Sequence, residues 1–476
     1  MRKLQLAKII IVALALLTPA LSLLVFGLGE GFENRTRTEI PPVAELLKPD
    51  PAARASFAKA LFETATVKQE AINVVSKAQL QLAEQIETPT VVSGEDGWLF
   101  FKPGLNLWHC SAHPGLKSRL DRVAFLFDLV SAAELPLVFA IAPNKASIER
   151  DKFGGRAEAY KQCYDVILSR FESISSAADS AHVVDHSAPM RAIVAAGRPA
   201  YLMWDTHWTE AAGFDAMNQL FEARPGEIGI PQRAVATERI PQQADLAAML
   251  ALDASHLPAI EAPQPEPIRE AQQMPVAPLF LHDSFYERIM PYLVSRAPSA
   301  SFERMQQYRL QTARETLDAA SLVVFSAVQR NYPRYVWSRE VLGWGGAIGD
   351  WILAGMNRAS QSCQWGDTVK VVARRDPRSP GGLLFSIPRV FQSGAFCLRV
   401  RTSLPRPVRA MLQVSSSEWG MPEFSTGRMI ETHFAQGNDV LGLIVPAGYG
   451  AEQYRLSLTG RLSASSRIDI EVAHLP

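Results

Sequence analysis

The sequence predicts an α/β sandwich with a mainly parallel sheet, followed by an all-β sandwich. Three observations carry that prediction. Between residues 91 and 342, apolar runs alternate with stretches of helical periodicity, the pattern of strand–helix units in a parallel sheet. From Thr368 onward, short alternating segments separated by turns replace the helical pattern, as in two packed antiparallel sheets. The chain has 476 residues, enough to bury more than one sizeable core.

Arg2, Lys3 and Lys8 precede an uncharged, mostly aliphatic run from Ile9 to Gly29. As a helix, this run spans roughly 31 Å, the thickness of a bilayer's hydrocarbon core. The basic residues before it and Glu30 and Glu33 after it direct the start of the chain to the cytoplasm and the remainder outward. The run is longer than the hydrophobic region of a usual signal peptide, so residues 1–30 are expected to remain as a signal-anchor, with a cleaved signal peptide as the competing reading. Residues 31–90 are expected to form a helical stalk, since Ala52 to Ile86 contains neither Pro nor Gly.

The α/β region opens at the turn Gly94-Glu95-Asp96-Gly97, followed by the apolar strand Trp98 to Phe101. A helix from Leu116 to Ala133 leads to the continuous apolar run Leu137 to Ala142, ended by Pro143-Asn144-Lys145. Such runs suit strands buried on both faces. A helix from about Ala157 to Ala178 and a short strand at His182 to Asp185 follow. Further strands are expected at Val276 to Leu281 and Leu322 to Ser326, the latter after a helix from Phe302 to Ala320. The Pro-, Gln- and Glu-rich stretch between Leu257 and Pro278 reads as a surface loop. The helical pattern stops near Gly343-Trp344-Gly345-Gly346. The expected domains are therefore 91–342 and 347–476, the second with strands at Val369 to Val372, Phe396 to Val400, Ala410 to Val414 and Ile468 to Val472.

Lys plus Arg and Asp plus Glu each number 48, a balance that leaves no electrostatic footprint for nucleic acid. The chain has 4 cysteines. None lies in a CxxC pair, which argues against zinc. Cys110 and Cys163 fall in the first domain, Cys363 and Cys397 in the second, and an oxidising compartment favours two disulfides over four free thiols.

Two short stretches carry the chemistry: Asp205-Thr206-His207-Trp208-Thr209 and Leu281-His282-Asp283-Ser284-Phe285. A serine where a sheet strand enters a helix is exposed at the top of the sheet, beside free amides that can stabilise an oxyanion. A hydroxyl needs a base, and the base an orienting acid, to become a nucleophile. Asp205 and His207 are two residues apart, so an extended segment sends both side chains to one side. Alone, either stretch reads as an ordinary loop or a helix cap; together they propose Ser284, His207 and Asp205. Asp205, His207 and His282 fit no standard metal spacing, so no metal is expected.

Gly94-x-Asp96-Gly97-Trp98-Leu99-Phe100, Ile141-Ala142-Pro143-Asn144-Lys145, Tyr201-x-x-x-Asp205-Thr206-His207-Trp208-Thr209 and Asp283-Ser284-Phe285 occur in that order. In this the chain resembles the AlgX/AlgJ family of SGNH hydrolase-like polysaccharide O-acetyltransferases, related to the DHHW group. The resemblance covers roughly residues 34–331. It implies Asp205 as orienting acid, His207 as general base and Ser284 as nucleophile. AlgX-type members add a carboxyl-terminal carbohydrate-binding β-sandwich, and AlgJ-type members keep an amino-terminal anchor; this chain resembles an AlgX-type architecture on an AlgJ-type anchor. Two positions depart from the pattern. His282 stands where such elbows commonly have Gly, and Gln329-Arg330-Asn331 replaces Glu-Arg-Asn.

Supporting candidates are Tyr201 and Asn144 as oxyanion donors and Arg330 behind the site. Trp204 and Trp208 are candidates for stacking on sugar, although packing is the commoner role for tryptophan. The resemblance further implies acetyl transfer to an exopolysaccharide in the periplasm, on a protein held at the inner membrane by its amino-terminal helix. No bound cofactor is expected. A membrane-bound O-acyltransferase would supply the acetyl donor, alongside other polysaccharide synthesis and export proteins. Two rival readings share these residues: an acetylesterase with the same triad, and a non-catalytic polysaccharide-binding scaffold of an export complex.

Overall fold

The computed structural model describes residues 86–107, 115–250 (save 225, 229, 230 and 232), 277–305 (save 298), 310–415 (save 340, 345 and 380), 427–449, 453–459 and 466–475. Shorter described stretches are 55–57, 59–60, 74, 252, 254, 257, 259–265 and 424. The expected anchor lies outside the described residues, as does most of the expected stalk. No helix among the described residues is long and apolar enough to cross a membrane.

The first strands in chain order are β1 (Val91–Ser93), β2 (Leu99–Phe101), β3 (Leu137–Ala142), β4 (Val183–Asp185), β5 (Ala234–Ile240), β6 (Ile260–Pro265), β7 (Pro278–His282), β8 (Ser301–Arg304) and β9 (Leu322–Val328). Five of them form one sheet in the order β4-β3-β9-β7-β8, and every pair in it is parallel. Parallel neighbours need crossover connections, supplied here by helices such as Glu158–Ala177 between β3 and β4 and Met290–Arg296 between β7 and β8. All residues of β3 and β9 are buried, so both faces of the sheet are covered, as their unbroken apolar sequence requires. Phe139 pairs in register with Phe325. Its ring also meets those of Phe127 and Tyr332 at 4.8 and 6.4 Å. Truncating Phe139 to Ala would cost about 3–5 kcal/mol.

Three expectations need correction. The helix expected from Phe302 begins at Leu310, after β8; Phe302 stacks on Phe280 across the β7–β8 ladder at 5.0 Å, and that packing outweighs local helical periodicity. The loop expected between Leu257 and Pro278 contains β6, which pairs antiparallel with β5. Pro263 and Pro265 are tolerated because a two-stranded ribbon has a free edge. The helical pattern does not stop at Gly343, since a helix follows at Ala347–Ala359. A Cβ on its cap residue Gly346 would lie 1.5 Å from the Arg339 carbonyl, so the turn closes only with glycine there.

The remaining strands are β10 (Val369–Lys370), β11 (Arg374–Arg375), β12 (Gly382–Ser386), β13 (Phe396–Leu404), β14 (Val408–Val414), β15 (Met429–Phe434), β16 (Gly437–Val445), β17 (Gln453–Leu458) and β18 (Arg467–His474). They form two antiparallel sheets, β10-β18-β13-β16 and β11-β12-β17-β14-β15. Burial alternates along β17, as expected of a sheet with one face on the core. Cys363 and Cys397 form a disulfide. Cys163 is also disulfide-bonded, while Cys110 lies outside the described residues.

The two regions share one apolar cluster, running from Phe325 through Ile352 to Leu443. Polar contacts cross the same boundary. Arg428 Nε pairs with Asp121 Oδ1 at 3.0 Å, and the Tyr449 hydroxyl donates to Asp128 Oδ2 at 2.7 Å.

Candidate active site

Brought to the carboxyl edge of a parallel sheet, residues that follow strand ends meet at one rim. Asn144 and Lys145 follow β3, Asp283 and Ser284 follow β7, and Gln329 and Arg330 follow β9. Asp283 caps the short helix Ser284–Glu287: one carboxylate oxygen accepts from Phe285 N at 3.0 Å, the other from Val328 N at 2.7 Å. Ser284 is thereby fixed at the helix start, where its own N–H has no partner among the described residues and is free to donate to an oxyanion. His282 does not prevent the turn; its Nδ1 contacts the Asp283 carbonyl at 3.0 Å and the ring is buried.

His207 Nε2 lies 2.9 Å from Ser284 Oγ, and Nδ1 lies 2.7 Å from Asp205 Oδ1. The nucleophile, base and acid proposed from sequence are therefore in one hydrogen-bond chain. Asp205 Oδ1 also accepts from His207 N at 2.9 Å. Its Oδ2 accepts from Asp245 N at 3.0 Å and Arg288 Nη2 at 3.1 Å. Burial would raise the Asp205 carboxyl, but His207 and Arg288 outweigh it and hold the group well below the usual carboxylate range. Asp205 is therefore charged whenever His207 needs orienting.

The segment carrying acid and base has no regular structure, so its shape comes from outside contacts. A bridge between Tyr201 and Trp208 closes its base. The buried Glu149 carboxylate accepts from Ala200 N at 2.7 Å and Tyr201 N at 3.0 Å. Asp245 accepts from Thr206 N at 2.7 Å and from Thr206 Oγ1 at 2.6 Å. Lys145, buried, donates from Nζ to four carbonyls: Leu99 at 2.8 Å, Leu202 at 2.6 Å, Met203 at 2.8 Å and Asp205 at 3.1 Å. Burial pushes its ammonium down, against the attraction of Asp205, Asp245 and Glu149. Four oxygen acceptors and no donor facing Nζ favour the charged form.

Other sequence candidates occupy different roles. The Tyr201 hydroxyl donates to the Pro143 carbonyl and is fully buried, so it packs beneath the segment and leaves no donor for an oxyanion. Trp204 donates to the Gly97 carbonyl at 3.0 Å from within a core cluster. Trp208 is buried against Phe285 and Tyr286. Neither indole face is open to sugar, because both were recruited to hold the segment. Asn144 Oδ1 accepts from Arg330 Nη1 at 3.2 Å, and its Nδ2 is buried. Strand β9 separates β3 from β7, so Arg330 lies between Asn144 and the elbow, its guanidinium 5.4 Å from the Phe285 ring. Gly104 makes room for it, since a Cβ there would meet Arg330 Cδ at 2.7 Å.

Sequence reasoning missed Asp245, Arg288 and Glu149, and quoted Lys145 without a role. All four act through tertiary contacts that no local spacing announces. Asp205, His207 and Asp245 also bring ligand-type atoms within 4.8 Å of one another. Both ring nitrogens of His207 already serve Asp205 and Ser284, so metal binding would compete with the hydrogen-bond chain.

Ser284 and His207 open onto a cleft of about 1010 Å³. Its lining includes Ile240, Ala262, Gln264 and Pro265 of the β5–β6 ribbon, together with Glu287, Arg288, Pro291 and Tyr292.

Residues 91–284 match the family model described as the SGNH hydrolase-like domain of the acetyltransferase AlgX. Similar solved structures include the O-acetyltransferase domain of Pseudomonas putida AlgJ, 20% identical over 52% of this chain and 93% of that one, with a TM-score of 0.34. Pseudomonas aeruginosa AlgX is 12% identical over 81% of this chain and 94% of that one, with a TM-score of 0.32. Bacillus cereus PatB1 is 14% identical over 51% and 96%, with a TM-score of 0.35. No curated protein matches the chain.

Proposed function

We propose that this protein transfers acetyl groups, through an acetyl-Ser284 intermediate, to hydroxyls of an exopolysaccharide. The hydrogen-bond chain from Asp205 through His207 to Ser284 at the mouth of an open cleft carries this reading. His207 Nε2 takes the Ser284 proton as Oγ attacks the acetyl carbonyl carbon. The Ser284 N–H donates to the oxyanion. His207 then returns the proton to the departing group, leaving the acetyl ester. A sugar hydroxyl, deprotonated by the same His207 nitrogen, attacks that ester, and Ser284 recovers a proton as it leaves. Asp205 holds the tautomer that makes Nε2 the base.

The acetyl donor is delivered by a membrane-bound O-acyltransferase, because acetyl-coenzyme A is cytoplasmic while the amino-terminal sequence directs this domain to the periplasm. The anchor would keep both proteins at the inner membrane with the other polysaccharide synthesis and export proteins, and the β-sandwich would hold the polymer. A pure binding scaffold would have no use for a serine 2.9 Å from an oriented imidazole. An acetylesterase would share the triad and differ only in its acceptor.

The test is reaction of the full chain in detergent with 4-nitrophenyl acetate, with the adduct located by peptide mass spectrometry. Acetyl on Ser284, absent from Ser284→Ala and slowed about 10³-fold or more in His207→Ala, is the expected result. A folded protein with neither adduct nor turnover would sink the reading.

A further inference from the structure

The charges lining the cleft point to a class of acceptor. Each of its guanidinium groups already faces a carboxylate of the same cleft. Arg288 lies 3.1 Å from Asp205 Oδ2 and 3.8 Å from Glu210 Oε1. Arg304 lies 3.1 Å from Glu287 Oε1. Asp245, held by Thr206, adds a further acid. Among the described lining residues, Asp205, Glu210, Asp245 and Glu287 thus stand against Arg288 and Arg304 alone. His207 is neutral when it acts as base, so two negative charges remain in excess. The other described lining residues are uncharged and suit sugar: Gln243 and Gln264 offer amides, and Ile240, Pro265 and Pro291 offer apolar surface.

The cations of the all-β region do not relieve this balance. Lys370, Arg374 and Arg375 line separate grooves, and none of them lines the cleft.

We propose that the acceptor presented to Ser284 is an uncharged sugar polymer, and that the cleft rejects polyuronates at the acetyl-transfer step. Among the described lining residues a uronate carboxylate entering here would find no unpaired cation, and would lie beside like charges that repel it. A neutral sugar enters at no such cost. This inference rests on the acetyl-serine reading.

The experiment is a competition. The full chain in detergent is acetylated with 4-nitrophenyl acetate, and acetyl-Ser284 is quantified. It is then offered equal concentrations of a β-1,4-glucan oligosaccharide and a mannuronate oligosaccharide of the same length. Mass spectrometry measures acetylation of each. We expect transfer to the glucan to be faster by about tenfold or more at low salt. Raising salt from about 0.02 to about 0.5 M should narrow that ratio by speeding the uronate reaction alone. Glu210→Gln and Glu287→Gln should each narrow it as well. Equal or faster transfer to the uronate from the acetyl-enzyme overturns the inference. Loss of acetyl to water with neither oligosaccharide modified also overturns it, as does a preference that salt does not touch. Failure to form acetyl-Ser284 at all would instead remove the reading on which it rests.

Discussion

The Asp283 carboxylate accepts the Val328 amide at 2.7 Å, so the residue before Ser284 is clamped to the end of the neighbouring strand β9. The elbow is held from two sides, by its own cap on Phe285 and by this cross-strand bond. Asp283→Ala would lose the cap and leave a buried N–H without a partner, a cost of about 2–4 kcal/mol. Asp283→Asn keeps one acceptor oxygen and should cost less. Urea unfolding gives the stability, and the rate of Ser284 acetylation reports the elbow. Unchanged stability in the alanine variant would show the clamp to be unimportant.

Lys145 ties one strand to the acid–base segment through four carbonyls. Replacing it with Met keeps most of the volume and removes every donor. The expected loss is roughly 1–3 kcal/mol of stability, with a fall in the acetylation rate constant of about tenfold or more and little change in KM for the ester. A variant that binds and reacts normally would refute the view that Lys145 positions Asp205 and His207.

The Asp205 carboxyl, held low in the fold, makes stability depend on acidity in a known direction. Its folded value lies below the unfolded value of about 3.9, so the unfolded chain binds the extra proton. The stabilisation is complete above that value and disappears as pH falls through the folded value. Asp205→Asn lacks it. The gap in urea midpoint between wild type and variant should therefore be widest near neutrality and shrink from about pH 4 downward. A gap independent of pH would contradict this account.

The disulfide between Cys363 and Cys397 closes a loop 34 residues apart in sequence. On the chain-entropy model its removal costs about 3–4 kcal/mol. Cys363→Ala with Cys397→Ala should lower the unfolding midpoint accordingly. Neither position lines the cleft at Ser284, so ester turnover of the folded protein should change less than about twofold.

What could be read in the sequence was what local pattern encodes. The unbroken run Leu137 to Ala142 became β3 with the same bounds, because full burial on both faces leaves one hydropathy signature. The spacing of Asp205 and His207 and the position of Ser284 after an apolar strand were likewise local. β6 was hidden by its prolines, and β8 by four residues whose pairing is decided across the sheet by Phe280. Tyr201, Trp204 and Trp208 were legible as belonging to the site, yet not as its foundation. Whether an aromatic ring faces ligand or core is set by neighbours far away in sequence. Asp245 reaches Asp205 from 40 residues downstream, and nothing near it signals that contact.

The Leu116–Ala132 helix is held by residues that the ribosome adds very late. Asp121 waits for Arg428, 307 residues on, and Asp128 for Tyr449, 321 residues on. At a synthesis rate of about 5–20 residues per second, that interval is roughly 15–60 s. Throughout it the helix lacks these two contacts. The polar boundary between the α/β region and the β-sandwich therefore closes only once the last sheets are made.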